Sequence, residues 1–244
     1  MATAVFLPGG LAPAVVRYAP LRTALGDEIT TRVRELELYN FSPPPPGYGV
    51  DVEVEALRRC LEREGSPVHI YGHSAGGAVA LAFVAMHPDY AITLAVDEPA
   101  FDFTSEAHKE LEPYWPLIET FQSDPGGSMA RFLALELKPG VEFRPTPGAA
   151  PPLPNRPSGV ATLLGAFRAA TIDPENYRRF KGPVLFTRGT LSNPRYLRSA
   201  ERLSQLFPRF REEVFEGLHH FNTSHQVEPD RVAALLRQLW SEAD

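Results

Sequence analysis

Cysteine is almost absent from this chain of 244 residues: Cys60 stands alone, so no intramolecular disulfide can form and nothing points to an oxidising compartment. Lysine is nearly as scarce. Of 24 basic residues only Lys109, Lys138 and Lys181 are lysines, and the arginines are dispersed rather than gathered in a stripe. With a net charge of −6 the surface would repel a phosphate backbone, which argues against nucleic acid as a partner. Long apolar runs are missing too. No stretch approaches the roughly 20 residues that cross a bilayer, so no membrane partner is expected. The start, Met1-Ala2-Thr3-Ala4-Val5-Phe6-Leu7, carries no basic residue and reaches Pro8-Gly9-Gly10 too soon for a secretory leader. A cytoplasmic protein is the expectation. Metal-ligand spacings and a dinucleotide fingerprint are also lacking, so neither a metal nor a cofactor is expected.

What is present suits one soluble domain. Hydrophobic residues make up 43% and charged residues 22%, and a chain of this length buries a sizeable core unaided. Short β-branched runs alternate with helical spacing. Strands are predicted over Thr3–Leu7, Val33–Tyr39, Val68–Tyr71, Ala91–Asp97, Pro183–Thr187 and Arg211–Phe215. Helices are predicted over Ala19–Leu25, Val52–Glu64, Ala75–His87, Leu197–Phe207 and Pro229–Trp240, and Pro43–Pro46 forces an extended loop. Between the fourth and fifth strands the alternation stops. Glu106–Gln122 reads as helix interrupted by Pro113 and Pro116, followed by helices over Ser128–Leu137, Gly159–Ala170 and Asp173–Phe180. The proline-rich Gly140–Gly159 reads as an irregular connector. The pattern implies an α/β fold: a mostly parallel sheet of about six strands with helices on both faces and a helical lid inserted after the fourth strand. In residues, 1–100 and 181–244 form the core and 101–180 the lid.

The third strand runs directly into Gly72-His73-Ser74-Ala75-Gly76-Gly77. A serine at a sharp strand-to-helix turn adopts strained backbone angles, and side chains two positions to either side would collide with neighbouring backbone. Glycine at 72 and 76 removes those collisions and lifts the hydroxyl off the sheet.

With a glycine turn after an early strand, this elbow, a helical insertion and a late histidine, most of the chain resembles an α/β-hydrolase. The resemblance implies Ser74 as nucleophile. It implies the backbone N–H of Ala75 as one oxyanion donor, with Gly10 of Pro8-Gly9-Gly10 as the other and Leu11 as the alternative. Two features depart from the family pattern. The chain begins at the strand leading to the oxyanion turn, so two customary strands are missing, and proline replaces the usual histidine before Gly9. The family's late Gly-x-x-His-Phe loop matches Gly217, His220 and Phe221, which implies His220 as base ahead of His219 and His225; His73, adjacent to the nucleophile, reads as structural and aimed away.

The acid is less direct. The usual position after the next-to-last strand, Gly189-Thr190-Leu191-Ser192-Asn193-Pro194, holds no carboxylate. Relatives such as haloalkane dehalogenases carry the acid after the strand that follows the nucleophile helix. There Asp97-Glu98-Pro99 resembles their pattern with Glu98 in register, and Asp97, Asn193 and Ser192 as alternatives. A serine nucleophile implies acyl transfer to water, with a carboxylic ester or related small-molecule acyl compound as substrate. Tyr114, Trp115, Phe121, Phe132 and Phe167 could line an acyl pocket or simply pack. Two rival readings stay open: a non-catalytic ligand-binding protein of the same fold, and a cofactor-free oxygenase.

Overall fold

The β-branched and aromatic runs of the sequence pair side by side in a six-stranded sheet. A computed structural model describes residues 3–27, 29–41, 43–65, 67–143 and 155–243. The strands are β1 (Thr3–Leu7), β2 (Thr30–Val33), β3 (Val68–His73), β4 (Ala91–Asp97), β5 (Val184–Gly189) and β6 (Phe210–Phe215), in the order β2-β1-β3-β4-β5-β6. Every neighbouring pair is parallel. Parallel neighbours need crossovers, and the helices supply them.

Period-2 alternation divides the core between the two faces of the sheet. Val5, Leu7, Ile70, Leu94, Val96, Val184 and Phe186 face one cluster with α4 (Val50–Glu64) and α5 (Ala75–Met86). Ala4, Phe6, Tyr71, Ala95, Leu185 and Phe215 face the other, with α2 (Ala19–Leu25) and α12 (Pro229–Ser241). Helix α5 is apolar all round, and every residue from Ala75 to Ala85 is buried, as in a helix trapped between sheet and further helices. The winding of the sheet reverses between β1 and β3. In a sheet of this kind a crevice opens beyond the strand ends at such a switch point.

The second strand departs from expectation. Val33–Tyr39 reads as alternating, but the strand is Thr30–Val33, and α3 (Glu37–Asn40) follows. The cause lies outside the segment: the Glu53 carboxylate on α4 accepts from the N–H groups of Glu37 (3.0 Å) and Leu38 (3.1 Å), fixing the start of a helical turn. Local spacing cannot reveal such a partner.

Between β4 and β5 the chain is helical wherever it is described as a regular element. The prolines divide the first stretch into α6 (Ser105–Glu110), a 3₁₀ turn at Glu112–Tyr114 and α7 (Leu117–Ser123). Then come α8 (Pro125–Leu135), α9 (Arg156–Ala169) and Pro174–Arg179, which is 3₁₀ rather than α. Most of the Gly140–Gly159 connector falls in 144–154, outside the described residues, but its last residues from Arg156 belong to α9, with Pro157 in the first turn where its missing N–H costs nothing. The remaining elements are α1 (Ala14–Arg17), α10 (Arg195–Leu206) and α11 (Ser224–Val227). Among the described residues no helix is long and apolar enough to cross a membrane.

Candidate active site

Ser74 stands between β3 and α5 with φ 52° and ψ −118°, a conformation that side chains other than glycine rarely adopt. The two flanking glycines make it possible. A Cβ on Gly72 would lie 2.5 Å from the Gly76 carbonyl oxygen, and one on Gly76 only 2.3 Å from that of Leu7. The turn is pinned by backbone bonds from Gly76 to Pro8 (2.9 Å), from Ser74 to Asp97 (3.0 Å) and from Ala100 to the Ser74 carbonyl (2.9 Å). Strand ends β1, β3 and β4 therefore converge on one hydroxyl.

The loop after β6 brings His220 to it. His220 Nε2 lies 3.0 Å from Ser74 Oγ, and Nδ1 lies 2.8 Å from Glu98 Oε2. Glu98 follows β4 in a second positive-φ turn, at 46°, with its N–H bonded to the Thr187 carbonyl. Its other oxygen accepts from the Gly189 N–H at 2.7 Å. Both oxygens are thus committed, and all three side chains are buried. A carboxylate at Nδ1 keeps the proton there and leaves the Nε2 lone pair for the hydroxyl.

Asp97, one residue earlier, sits on the other side of the sheet end. It contacts His225 Nδ1 at 2.9 Å and accepts from Thr187 Oγ1 at 2.8 Å. His225 Nε2 meets Thr223 Oγ1 at 3.0 Å, and this histidine is fully buried. His219 takes the N–H groups of Phe221 and Asn222 onto its Nδ1. Asn193 donates to the Leu135 carbonyl and accepts from the Arg195 N–H. The buried Ser192 hydroxyl makes no hydrogen bond among the described residues. The side chains of Asn193 and Ser192 are thus not the partners that orient His220.

Ser74 and His220 open onto a cavity. Gly9, Gly10, Leu11 and Ala75 lie at its catalytic end, while Leu111, Phe132, Leu163 and Phe167 form an apolar wall from the helices between β4 and β5. Of the aromatic residues singled out in the sequence, Tyr114, Phe132 and Phe167 line the cavity; Phe121 and Trp115 pack in the core instead. Ala75 is the first residue of α5, so its N–H has no intrahelical acceptor. The Gly10 carbonyl accepts from Tyr39 Oη at 2.7 Å, which fixes that turn.

The alpha/beta hydrolase family model matches residues 4–235. This chain belongs to the alpha/beta hydrolase family. Solved structures agree on the fold. A thermophilic esterase from Thermogutta terrifontis has a TM-score of 0.71 at 17% identity, covering 100% of this chain and 90% of its own. MenH from S. aureus reaches 0.77 at 16% identity, covering 99% and 94%. A curated relative, the lipase LipV of Mycobacterium tuberculosis, is 36% identical over 74 residues, which is 30% of this chain and only 28% of the lipase. As a member of a hydrolase family the chain is, at that coarse level, a hydrolase.

Several residues of this alpha/beta hydrolase site carry no sequence signal. His73, whose place beside the nucleophile reads as aimed away, instead stacks its ring on His220, 4.9 Å between centroids, with both ring nitrogens unpartnered among the described residues. The cause is crowding at the strand end, where the two rings share one buried space. Burial, the Arg17 cation and the neighbouring histidines push the His73 pKa far down, so its ring is neutral. On the other side Tyr196 stacks on His220 at 5.1 Å and 11°, with its hydroxyl bonded to Glu136. Burial would raise the Glu136 pKa, but Arg195, whose Nη2 lies 2.7 Å away, and His220 outweigh it and hold the carboxyl low. These groups come from α10 and the end of α8, far from Ser74 in sequence, and no local motif announces them.

Proposed function

We propose that this protein is a serine hydrolase that cleaves a carboxylic ester or related acyl substrate through an acyl-enzyme on Ser74. The observation that carries this reading is the continuous line from Ser74 Oγ through His220 to Glu98 at the mouth of an apolar cavity. Ser74 Oγ attacks the carbonyl carbon while His220 Nε2 takes its proton, and the carbonyl π pair moves onto oxygen. Backbone N–H groups of Gly10 and Ala75 receive that oxyanion, a preorganised pair that needs no rearrangement as charge develops. Collapse expels the alcohol, protonated by His220. Water, deprotonated by the same ring, then releases the acid and restores Ser74. Glu98 holds the ring and stabilises the imidazolium that forms in each half.

The helices of 101–180 serve in this reading as a lid whose apolar residues receive the acyl or alcohol group, against a core of 1–100 and 181–244. A structural neighbour is an esterase and the partly matching relative is a lipase, both consistent with ester chemistry. The substrate is a small molecule, and the lone Cys60 is compatible with a cytoplasmic setting. Steady-state hydrolysis of p-nitrophenyl esters tests the proposal. Sustained turnover that vanishes with Ser74→Ala is expected. A single stoichiometric burst would mean a binding protein, and oxygen uptake insensitive to Ser74→Ala would mean an oxygenase.

A further inference from the structure

Two arginines line the cavity beside Ser74, and their circumstances differ. Arg195 has a carboxylate, Glu136, at 2.7 Å, and that buried partner raises its already high pKa. Arg17, the last residue of α1, is only 6% exposed and has no acidic group within ion-pair distance among the described residues. Its Nη1 makes two long contacts to neutral acceptors, Thr223 Oγ1 at 3.4 Å and Gln226 Oε1 at 3.3 Å. Among the described residues its Nε is buried without a partner, and no hydrogen bond leaves its Nη2. The Asp97 carboxylate spends its hydrogen bonds on His225 and Thr187 and acts on Arg17 only at longer range, and Glu35, which accepts from the Ala14 N–H, is paired with Arg156 at 3.0 Å.

A guanidinium cannot shed its proton in a protein, so burying one without an anion is costly. Burial accordingly draws the Arg17 pKa down, against the pull of Tyr18, Asp97 and Tyr71. Beside it in the same cavity is His73, a neutral ring with both nitrogens unpartnered among the described residues. The cavity thus combines the polar side chains of Arg17 and His73 with the apolar wall of Leu111, Phe132, Leu163 and Phe167.

Building on the reading of Ser74 as nucleophile, we propose that the substrate carries a free carboxylate and that Arg17 binds it while the acyl carbon sits at Ser74. A planar carboxylate matches the guanidinium fork and supplies one negative charge for one positive. A phosphate monoester, with nearly two charges at neutral pH, would leave one buried and uncompensated. Half-esters of dicarboxylic acids are the class that fits.

The test compares mono-p-nitrophenyl esters of glutarate, adipate and suberate with the neutral pentanoate, hexanoate and octanoate esters. In the unaltered protein kcat/KM should favour at least one half-ester over its neutral match by about 10- to 100-fold, the range of a charge-assisted hydrogen bond. Arg17→Gln should collapse that ratio to about one or below, and Arg17→Lys should keep part of it. Free adipate should also inhibit the unaltered protein far better than adipamide, a comparison independent of whether a variant folds. A preference for neutral esters, an unchanged ratio in Arg17→Gln, or equal inhibition by adipate and adipamide would overturn the proposal. If neither ester set turns over, the acyl-transfer reading fails, and calorimetric titration with adipate judges the anion site alone: binding lost in Arg17→Gln supports it, and no binding, or equal binding, overturns it.

Discussion

Asp97 and Glu98 are adjacent in the chain, and each pairs with its own buried histidine, His225 and His220, at 2.9 and 2.8 Å. Only the second pair reaches the cavity. At the end of β4 the Asp97 side chain meets Thr187, His225, Ser224 and Tyr71, and His225 spends its other nitrogen on Thr223. That network runs on through Thr223 to Gln226 and Arg17 and never meets the Ser74 hydroxyl. Glu98, turned back by its positive φ, passes the interaction through His220 to a hydroxyl with space in front of it. Histidine and carboxylate at hydrogen-bond distance are thus not enough to make a site. What distinguishes the two pairs is where the second ring nitrogen ends.

The sharpest way to break this contrast is at Ser74. Ser74→Ala should cut kcat by about 10⁴- to 10⁶-fold, measured as p-nitrophenyl ester turnover. Next, Glu98→Gln should cost about 10³- to 10⁴-fold in kcat with the melting temperature little changed, because an amide can select the wrong tautomer yet still fill the space. Asp97→Asn should do the reverse. Losing a buried hydrogen bond from a neutral imidazole to a carboxylate costs about 1.5–3 kcal/mol of stability, and kcat should fall by less than about tenfold. If Asp97→Asn abolished turnover while Glu98→Gln merely unfolded the protein, the roles would be exchanged.

A smaller effect concerns pH and stability. Burial lowers the pKa of both His73 and His225, the latter despite Asp97. Their folded-state pKa values lie below the unfolded value of about 6.5, so below that pH the unfolded chain binds more protons and stability falls with falling pH. The melting temperature should therefore decline as pH drops from about 6.5 toward the depressed folded values, and His73→Phe should flatten the decline; an identical slope in both proteins would remove His73 from the cause. Smallest of all, Asn193→Ala should lose about 1 kcal/mol, through its bonds to Leu135 and Arg195, and leave kcat within about threefold. A large loss of kcat would make it an orienting residue after all.

Much of this is legible in the sequence where the physics is local. Gly72 and Gly76 announce the turn because a Cβ at either would strike backbone within the turn itself or on the adjoining strand. Pro113 and Pro116 announce the breaks around Glu112–Tyr114 because neither can donate to a helical ladder. Glu98 stands out only through resemblance to relatives, since nothing in Asp97-Glu98-Pro99 says which carboxylate turns toward His220. The second strand lies away from its predicted span because Glu53 reaches across from α4. Arg17, Tyr196 and Glu136 give no sign in the sequence at all. Their meaning lies in what faces them across the cavity, and spacing along the chain has no record of that.

The central claim is that Ser74 Oγ is a nucleophile activated by His220 and Glu98. Reaction with a fluorophosphonate followed by intact-mass measurement tests it most directly. One adduct per chain is expected on the unaltered protein, formed far more slowly with Glu98→Gln and not at all with Ser74→Ala. An adduct that persists in Ser74→Ala, or an unaltered protein that stays unlabelled at high reagent concentration, would contradict it.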